Sequence, residues 1–182
     1  MQAIPHEIFK AYDIRGIVGK TITAENVEKI GHAIGSEARA RNLTAIAIGR
    51  DGRLSGTELS QALARGIRKS GIDVVDVGMV ATPMLYFAAH ELCQYSGVMV
   101  TGSHNPPEYN GFKIVLGGQT LAADTIQALR LRIENNNLTH GAGNYSEHAI
   151  ADAYRTRITG DVKLARPLKI VVDCGNGVAG AY

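Results

Sequence analysis

Residues 96–116, SGVMVTGSHNPPEYNGFKIVL, decide the fold of this 182-residue chain because they hold two β-prone runs and the segment between them. An apolar run at residues 98–101 stops at a glycine, and a second run, at residues 112–116, follows Asn110-Gly111. The pattern predicts two strands joined by a loop over residues 102–111. Because Asn-Gly is a hairpin turn signal, we expect the second strand to return antiparallel to the first.

The predicted loop displays a serine. Ser103 follows a glycine at the end of a strand, and Pro106-Pro107 stiffen the exit, so its hydroxyl should point to solvent in a fixed direction. The flanking Thr101 and Asn105 do not fit the G-x-S-x-G elbow of hydrolases, and no stretch matches a phosphate-binding P-loop. A serine that carries a covalent group, most plausibly a phosphoryl group, remains. The simpler alternative is that Ser103 only caps a turn.

Strand and helix patterns alternate before this stretch. Short apolar runs at 45–48 and 72–77 suit buried strands. Apolar residues at helical spacing predict the intervening helices. Their N-terminal signals are Thr23, the capping-box spacing of Ser55 to Glu58, and Thr82-Pro83. The order predicts a three-layer α/β domain with a mixed, mostly parallel sheet and helices on both faces. Ligands collect at the carboxyl ends of such strands, where we place Arg15, Arg50 and Ser103.

A further helix is predicted at residues 122–134, and a polar linker rich in asparagine and glycine follows at residues 135–143. We therefore divide the chain into a serine-bearing domain, residues 1–147, and a second segment, residues 148–182. The second segment should contain a connecting helix and, at residues 168–173, the first strand of a second, truncated α/β domain.

Composition restricts the class of protein. The net charge is +2 (19 basic minus 17 acidic residues), without a dense basic run, which gives nucleic-acid binding no support. Cys93 and Cys174 are the two cysteines and lack metal-site spacing. Neither a signal peptide nor an apolar run long enough to cross a membrane is present. A cytoplasmic protein is the expectation.

Four segments together resemble one family. They are TGSHNPPEYNGFKI at residues 101–114, FKAYDIRG at residues 9–16, GRDGRLSG at residues 49–56 and VDCGNGVAG at residues 172–180. In this order they resemble the α-D-phosphohexomutases, and within them the bacterial phosphomannomutase/phosphoglucomutase branch. Members of that family have four domains, so the resemblance implies that this chain is an N-terminal part.

The resemblance implies phosphoryl transfer between a serine and a sugar hydroxyl. Ser103 would be the phosphoserine, with close to two negative charges, and one ligand of a Mg²⁺ ion. The family's other metal ligands are aspartates of an Asp-rich loop, and no D-x-D pattern occurs in this sequence. Arg15 would contact the transferring phosphoryl group, and Lys113 would act as a general acid/base or electrostatic residue. Without the resemblance, an arginine paired with Asp13 and a solvated strand lysine would be simpler interpretations.

Other candidate residues surround the serine. The resemblance implies a catalytic or positioning role for His104, and substrate contact for Tyr12 and Asn105. Three residues, Arg50, Asp51 and Arg53, are expected to form an ion-pair and hydrogen-bond cluster that holds the serine loop.

The substrate would be a phosphosugar, with a hexose 1,6-bisphosphate as intermediate or activator. We expect a monomer that contacts neither nucleic acid nor membrane. Two alternatives stay open: a non-catalytic phosphate-binding or partner-docking module, and a phosphoglucosamine mutase. The second would be expected to carry S-A-S where this chain has Thr101-Gly102-Ser103.

Overall fold

The computed structural model describes residues 4–182 and is organised around one sheet of seven strands. Residues 1–3, which belong to the predicted first domain, lie outside the described residues. The strands are β1 (Ile14–Ile17), β2 (Ala45–Arg50), β3 (Asp73–Met79), β4 (Gly97–Val100), β5 (Tyr109–Leu116), β6 (Gln119–Thr120) and β7 (Tyr145–Glu147). Across the sheet their order is β1-β5-β4-β2-β3-β7, with β6 paired to β5.

The sheet is mixed. Strand β2 pairs in parallel with β3 and β4, and β3 pairs in parallel with β7. Strand β5 is antiparallel to its three partners β1, β4 and β6, so within the described sheet it alone runs against the others. The predicted mixed, mostly parallel sheet and the antiparallel return after the serine loop are both confirmed.

Helices cover both faces of the sheet, as predicted. They are α1 (Ala24–Ala40), α2 (Gly56–Lys69), α3 (Thr82–Leu92), α4 (Asp124–Glu134) and α5 (Ala151–Asp161). Helices α1, α2 and α4 bury their apolar residues in one core, and α3 and α5 pack on the opposite face around Met84, Leu85 and Met99. None of the helices in the described part of the chain has the length and apolar character that crossing a membrane requires.

Local signals explain how α1 and α2 form and meet. The Thr23 hydroxyl accepts a hydrogen bond from the Asn26 N–H group (3.2 Å), which satisfies a free donor at the start of α1. The two helices approach closely at Gly66, where a Cβ atom would lie 2.1 Å from the Glu28 carbonyl oxygen. Glycine is therefore required there for contact between the helices rather than for backbone freedom.

Helices α2 and α3 both form, but neither has the predicted side-chain cap. Ser55 precedes α2, but its backbone is helical (φ −71°, ψ −13°) and its side chain makes no capping bond; its hydroxyl accepts a hydrogen bond from Asn110 Nδ2 (2.9 Å). Ala81 is the residue before α3, so Thr82 and Pro83 are its first two residues. The local signals therefore place the start of each helix to within a residue without giving the cap itself.

The predicted strand at residues 168–173 does not form. This segment is irregular, and Ile170, Val171 and Val172 are 66%, 94% and 74% exposed. A strand requires a hydrogen-bonded neighbour, and no strand of the described sheet pairs with this segment. The predicted connecting helix is observed as α5. The division between residues 147 and 148 stays a prediction, although β7 belongs to the sheet.

Candidate active site

Ser103 lies in the connection between β4 and β5 and is exposed to solvent. The connection is shorter than predicted, because β5 begins at Tyr109 and includes Asn110-Gly111. The backbone of Ser103 has φ of +51°, in the left-handed region, which costs a residue other than glycine about 1–2 kcal/mol. The Ser103 N–H group donates to Thr101 Oγ1 (3.0 Å), a local bond that helps to hold this conformation.

The segment after β2 ties the loop down. The Asp51 carboxylate accepts hydrogen bonds from the N–H groups of Gly102 (3.1 Å) and Arg53 (3.0 Å). The Arg53 guanidinium donates to four carbonyl oxygens of the loop and its exit, those of Ser103 (3.1 Å), Asn105 (2.6 Å), Pro106 (2.7 Å) and Tyr109 (2.9 Å). The serine loop is thus held through its backbone, as predicted for Asp51 and Arg53.

The prediction is wrong for Arg50. Its guanidinium faces Asp76 on β3, with 3.7 Å between Nη1 and Oδ1, rather than the serine loop. Asp76 also accepts a hydrogen bond from the Tyr145 hydroxyl (2.9 Å). Burial, together with this bond to a carboxylate, raises the pKa of Tyr145 to about 12. Arg50 and its partners line a separate polar cleft of about 440 Å³.

Arg15 and Lys113 lie on neighbouring strands and on the same face of the sheet. Arg15 on β1 is directly opposite Gly111 on β5, and Lys113 is two residues further along β5. Residues opposite each other share a face of the sheet, and so do alternate residues of one strand. Arg15 and Lys113 are therefore diagonal neighbours, and the Cα atoms of such neighbours typically lie about 7–8 Å apart. Arg15 lies inside β1 rather than at its end. No ion pair joins it to Asp13, and both residues are within the described part of the chain.

The strand register relates the sheet face that bears Arg15 and Lys113 to the serine loop. Lys113 is opposite Met99 on β4, and Thr101 donates its N–H group to the Gly111 carbonyl oxygen (2.9 Å). Met99, Thr101 and Ser103 line one cleft of about 640 Å³. The serine cleft therefore opens on the face of the sheet to which Lys113 and Arg15 belong.

A second cleft, of about 480 Å³, adjoins the first at Asn105. Arg15 and Lys10 line it together with Asn105 and Tyr109. The side chain of Asn105 donates to the Gly102 carbonyl oxygen (2.8 Å), so this predicted substrate-binding residue also closes the loop on itself. His104 is exposed beside the serine, and Tyr12 is 78% exposed in the turn before β1.

The C-terminal residues reach the serine cleft. The glycine-rich turn at residues 176–179 forms part of its wall. The side chain of Val178 lies 3.2 Å from where a Cβ atom on Gly52 would stand. The fourth segment of the family resemblance is thereby brought to the segments at residues 49–56 and 101–114, an arrangement that the sequence did not predict.

The described residues do not by themselves provide a metal site. Residues 4–182 contain no group of three or more His, Cys, Asp or Glu side chains placed to hold an ion. Mg²⁺ prefers octahedral oxygen coordination with carboxylate and phosphate ligands. A phosphorylated Ser103 would supply a single such ligand, so the metal set does not fit within the described residues.

Fold and loop together define a three-layer α/β/α domain that presents a serine between two antiparallel strands. Comparison with known families gives this class a name. Residues 6–140 match "Phosphoglucomutase/phosphomannomutase, alpha/beta/alpha domain I". The chain belongs to this phosphohexomutase family, as the four sequence segments predicted.

Known proteins agree with this assignment. The chain is 58% identical to the phosphomannomutase/phosphoglucomutase of Pseudomonas aeruginosa, over 97% of this chain and 38% of that protein. It is 55% identical to a phosphoglucomutase of Neisseria meningitidis, over 100% of this chain and 40% of the relative. A crystal structure of a family member from Burkholderia thailandensis superposes with a TM-score of 0.93 at 54% identity, covering 98% and 41% of the two chains. The chain thus spans about two fifths of the length of these relatives.

Proposed function

We propose that this chain is the phosphoserine-bearing part of a phosphohexomutase that interconverts hexose 1-phosphate and hexose 6-phosphate. The observation that carries the proposal is Ser103, exposed in a loop held by Asp51 and Arg53, in a cleft that shares Asn105 with the cleft lined by Arg15. The names of the relatives support a mutase of mannose or glucose phosphates. Within that pair of sugars, the chain leaves the preference open.

The reaction consists of two phosphoryl transfers, each of a different PO₃ group. In the first step the bond between Ser103 Oγ and phosphorus breaks, and a bond forms between phosphorus and the free hydroxyl oxygen of the sugar. The hydroxyl proton passes to Ser103 Oγ, so that a serine hydroxyl and a hexose 1,6-bisphosphate result. In the second step the other phosphate of the sugar returns to Ser103 and the proton passes back. Atoms and charge therefore balance within the enzyme and sugar.

Each basic residue has a role in this scheme. Arg15 binds the transferring phosphoryl group, because a guanidinium can donate two parallel N–H bonds to phosphate oxygens. Lys113, on the same face, relays the hydroxyl proton or stabilises the charge of the transition state. Tyr12 and Asn105 contact the sugar, and His104 orients the phosphate beside it.

A Mg²⁺ ion bound at the phosphoserine would neutralise the charge of the transferred group. The chain contributes Ser103 to that site, and the remaining ligands have to come from outside the described residues. Because sugar selection and metal binding both need further groups, we expect little or no mutase turnover from this chain alone. A coupled assay with hexose 1-phosphate measures it, and ordinary rates for the 182-residue chain would contradict the expectation.

The direct test is the covalent state of Ser103. Intact-mass analysis of the purified chain, before and after incubation with glucose 1,6-bisphosphate, should show an adduct of one phosphoryl group. Peptide mapping should place it on Ser103, and Ser103→Ala should abolish it. Ser146→Ala, which removes an exposed serine from β7, is the matched control and should leave the adduct unchanged. A chain that never carries phosphate on Ser103 would instead favour the non-catalytic module.

A cytoplasmic location is part of the same proposal, supported by two unpaired cysteines. The monomeric state also stays a prediction.

A further inference from the structure

We infer that Arg53 is a positioning residue for phosphoryl transfer at Ser103, an inference that rests on the proposed function. Its guanidinium donates to the carbonyl oxygens of Ser103 and of Asn105, on the two sides of His104. It donates further to Pro106 and to Tyr109, the first residue of β5. One side chain thus fixes the backbone from the serine to the start of the next strand.

The geometry requires the planar fork of arginine. Four carbonyl oxygens converge on the two terminal nitrogens, Nη1 and Nη2, each of which serves two of them. A lysine ammonium is a single point with three donors, so it cannot satisfy four acceptors spread around a plane. An unfilled set of converging carbonyls would repel one another, and the loop would open.

The guanidinium is itself held in place. Its Nε lies 3.5 Å from Asp51 Oδ2, the atom that accepts the hydrogen bond from Gly102 N–H. The guanidinium also fills the space that a side chain at residue 102 would need. A Cβ atom on Gly102 would lie 2.2 Å from the Arg53 Cζ and Nε atoms. The pair Asp51 and Arg53 therefore brackets the serine, with one contact on the residue before it and several after.

Arg53 acts through the backbone rather than on the phosphoryl group. All its side-chain hydrogen bonds go to main-chain oxygens, and the hydroxyl of Ser103 is not among its partners. What it determines is the position from which Ser103, in a left-handed backbone conformation, presents its oxygen to the cleft that it lines. Small displacements of a reacting atom cost rate rather than affinity.

The chain offers a matched control. Arg50 lies three residues earlier in the same segment and is similarly shielded, with 24% of its side chain exposed against 17% for Arg53. Its guanidinium faces Asp76 in a different cleft. Arg50→Lys should therefore reproduce any general cost of replacing an arginine here without changing the serine loop.

The test compares Arg53→Lys, Arg53→Ala and Arg50→Lys in the 182-residue chain. Hydrogen exchange of the amides at residues 102–105 reports the order of the loop. The rate of Ser103 phosphorylation by glucose 1,6-bisphosphate, followed by intact mass, reports transfer. For Arg53→Lys we expect exchange in this loop to accelerate on the order of tenfold, while the sheet is unchanged. The maximal rate should fall by about 10–100-fold at an unchanged half-saturating concentration.

If Arg53 contributes to stability alone, Arg53→Lys and Arg50→Lys should lower the thermal midpoint equally. They should then also show equal exchange in the serine loop and equal rates of phosphorylation, and that result would overturn the inference. If Arg53→Ala does not fold, the lysine variant still decides. If the unmodified chain accepts no phosphate, the proposed function fails, and with it the link to transfer. The exchange measurement then still shows whether Arg53 holds the loop.

Discussion

Two segments of the chain share a pattern and differ in structure. Residues 98–102 (VMVTG) and residues 171–175 (VVDCG) each have apolar β-prone residues that run into a glycine turn. The first forms most of β4 and leads to the serine, whereas the second is irregular. β propensity thus identifies a candidate strand, while neighbouring strands decide whether it forms.

The surroundings of the two segments explain the outcome. Strand β4 lies between β2 and β5, and Val98 and Val100 are fully buried in the first core. Its turn is held from another loop by Asp51 and Arg53. The second turn has a local bond, from the Gly175 N–H group to Asp173 Oδ1 (2.8 Å). Burial and long-range hydrogen bonds therefore separate the two, and matched substitutions can measure by how much.

The largest effect is expected from matched valine substitutions. Val98→Ala should lower the free energy of unfolding by about 2–3 kcal/mol, because two buried carbon atoms are lost and a cavity remains. Val171→Ala, at a position that is 94% exposed, should change it by less than about 0.5 kcal/mol. Urea denaturation followed by circular dichroism measures both. Equal losses would mean that the C-terminal segment is packed against a partner.

Glycine substitutions in the two turns should differ next. Gly102→Ala places a methyl group onto the Arg53 guanidinium, so we expect a loss of about 1–3 kcal/mol from overpacking and faster exchange in the serine loop. Gly175→Ala meets no atom within 4 Å, and its φ of +54° strains an exposed turn alone. Its effect on the unfolding of the sheet should be near zero. A Gly102→Ala variant as stable as the parent would show that Arg53 can move aside without cost.

The smallest effect concerns the two cysteines at alkaline pH. Burial raises the pKa of Cys93 from 9.0 to about 11, whereas Cys174 belongs to the second turn. Because the unfolded chain loses this proton first, stability is fully present below pH 9 and falls as the pH rises towards 11. At pH 10, this group should make the free energy of unfolding about 1 kcal/mol lower than it is below pH 9.

Cys93→Ala should therefore weaken the dependence of the unfolding free energy on pH between 9 and 11, and Cys174→Ala should not. Denaturation curves at pH 8 and pH 10 give the comparison. A dependence that survives in Cys93→Ala would assign it to another group, of which Tyr145, with a pKa raised to about 12, is the first candidate.

Local patterns predicted most of the fold. Helix α1 begins directly after Thr23, as its N-terminal signal indicated, and the strands around residues 45–50 and 73–79 lie where continuous apolar runs placed them. The short sequence around Ser103 also predicted an exposed serine between antiparallel strands. These features depend on residues close in sequence, which is why a single sequence contains them.

The site was predicted less completely. Nothing in the spacing of Arg50 and Arg53 says that one turns towards Asp76 and the other towards the serine loop. Asn110 suggested a turn, yet it is fully buried in β5 and bonds to Ser55. Both outcomes depend on which segments meet in space, and the sequence around Asn110 carried only the turn signal.

The sequence alone determined the alternation of helices and strands from α1 to β5, the reversal after the serine and the residue types gathered around it, because propensity, capping and turn chemistry act over a few residues. The tertiary structure alone decided which β-prone run became a strand, which arginine holds Ser103, and that the glycine-rich turn at residues 176–179 borders its cleft. Those results depend on hydrogen bonds and packing between segments 50 or more residues apart, as from Arg53 to Asn105, and such contacts exist only once the sheet has assembled.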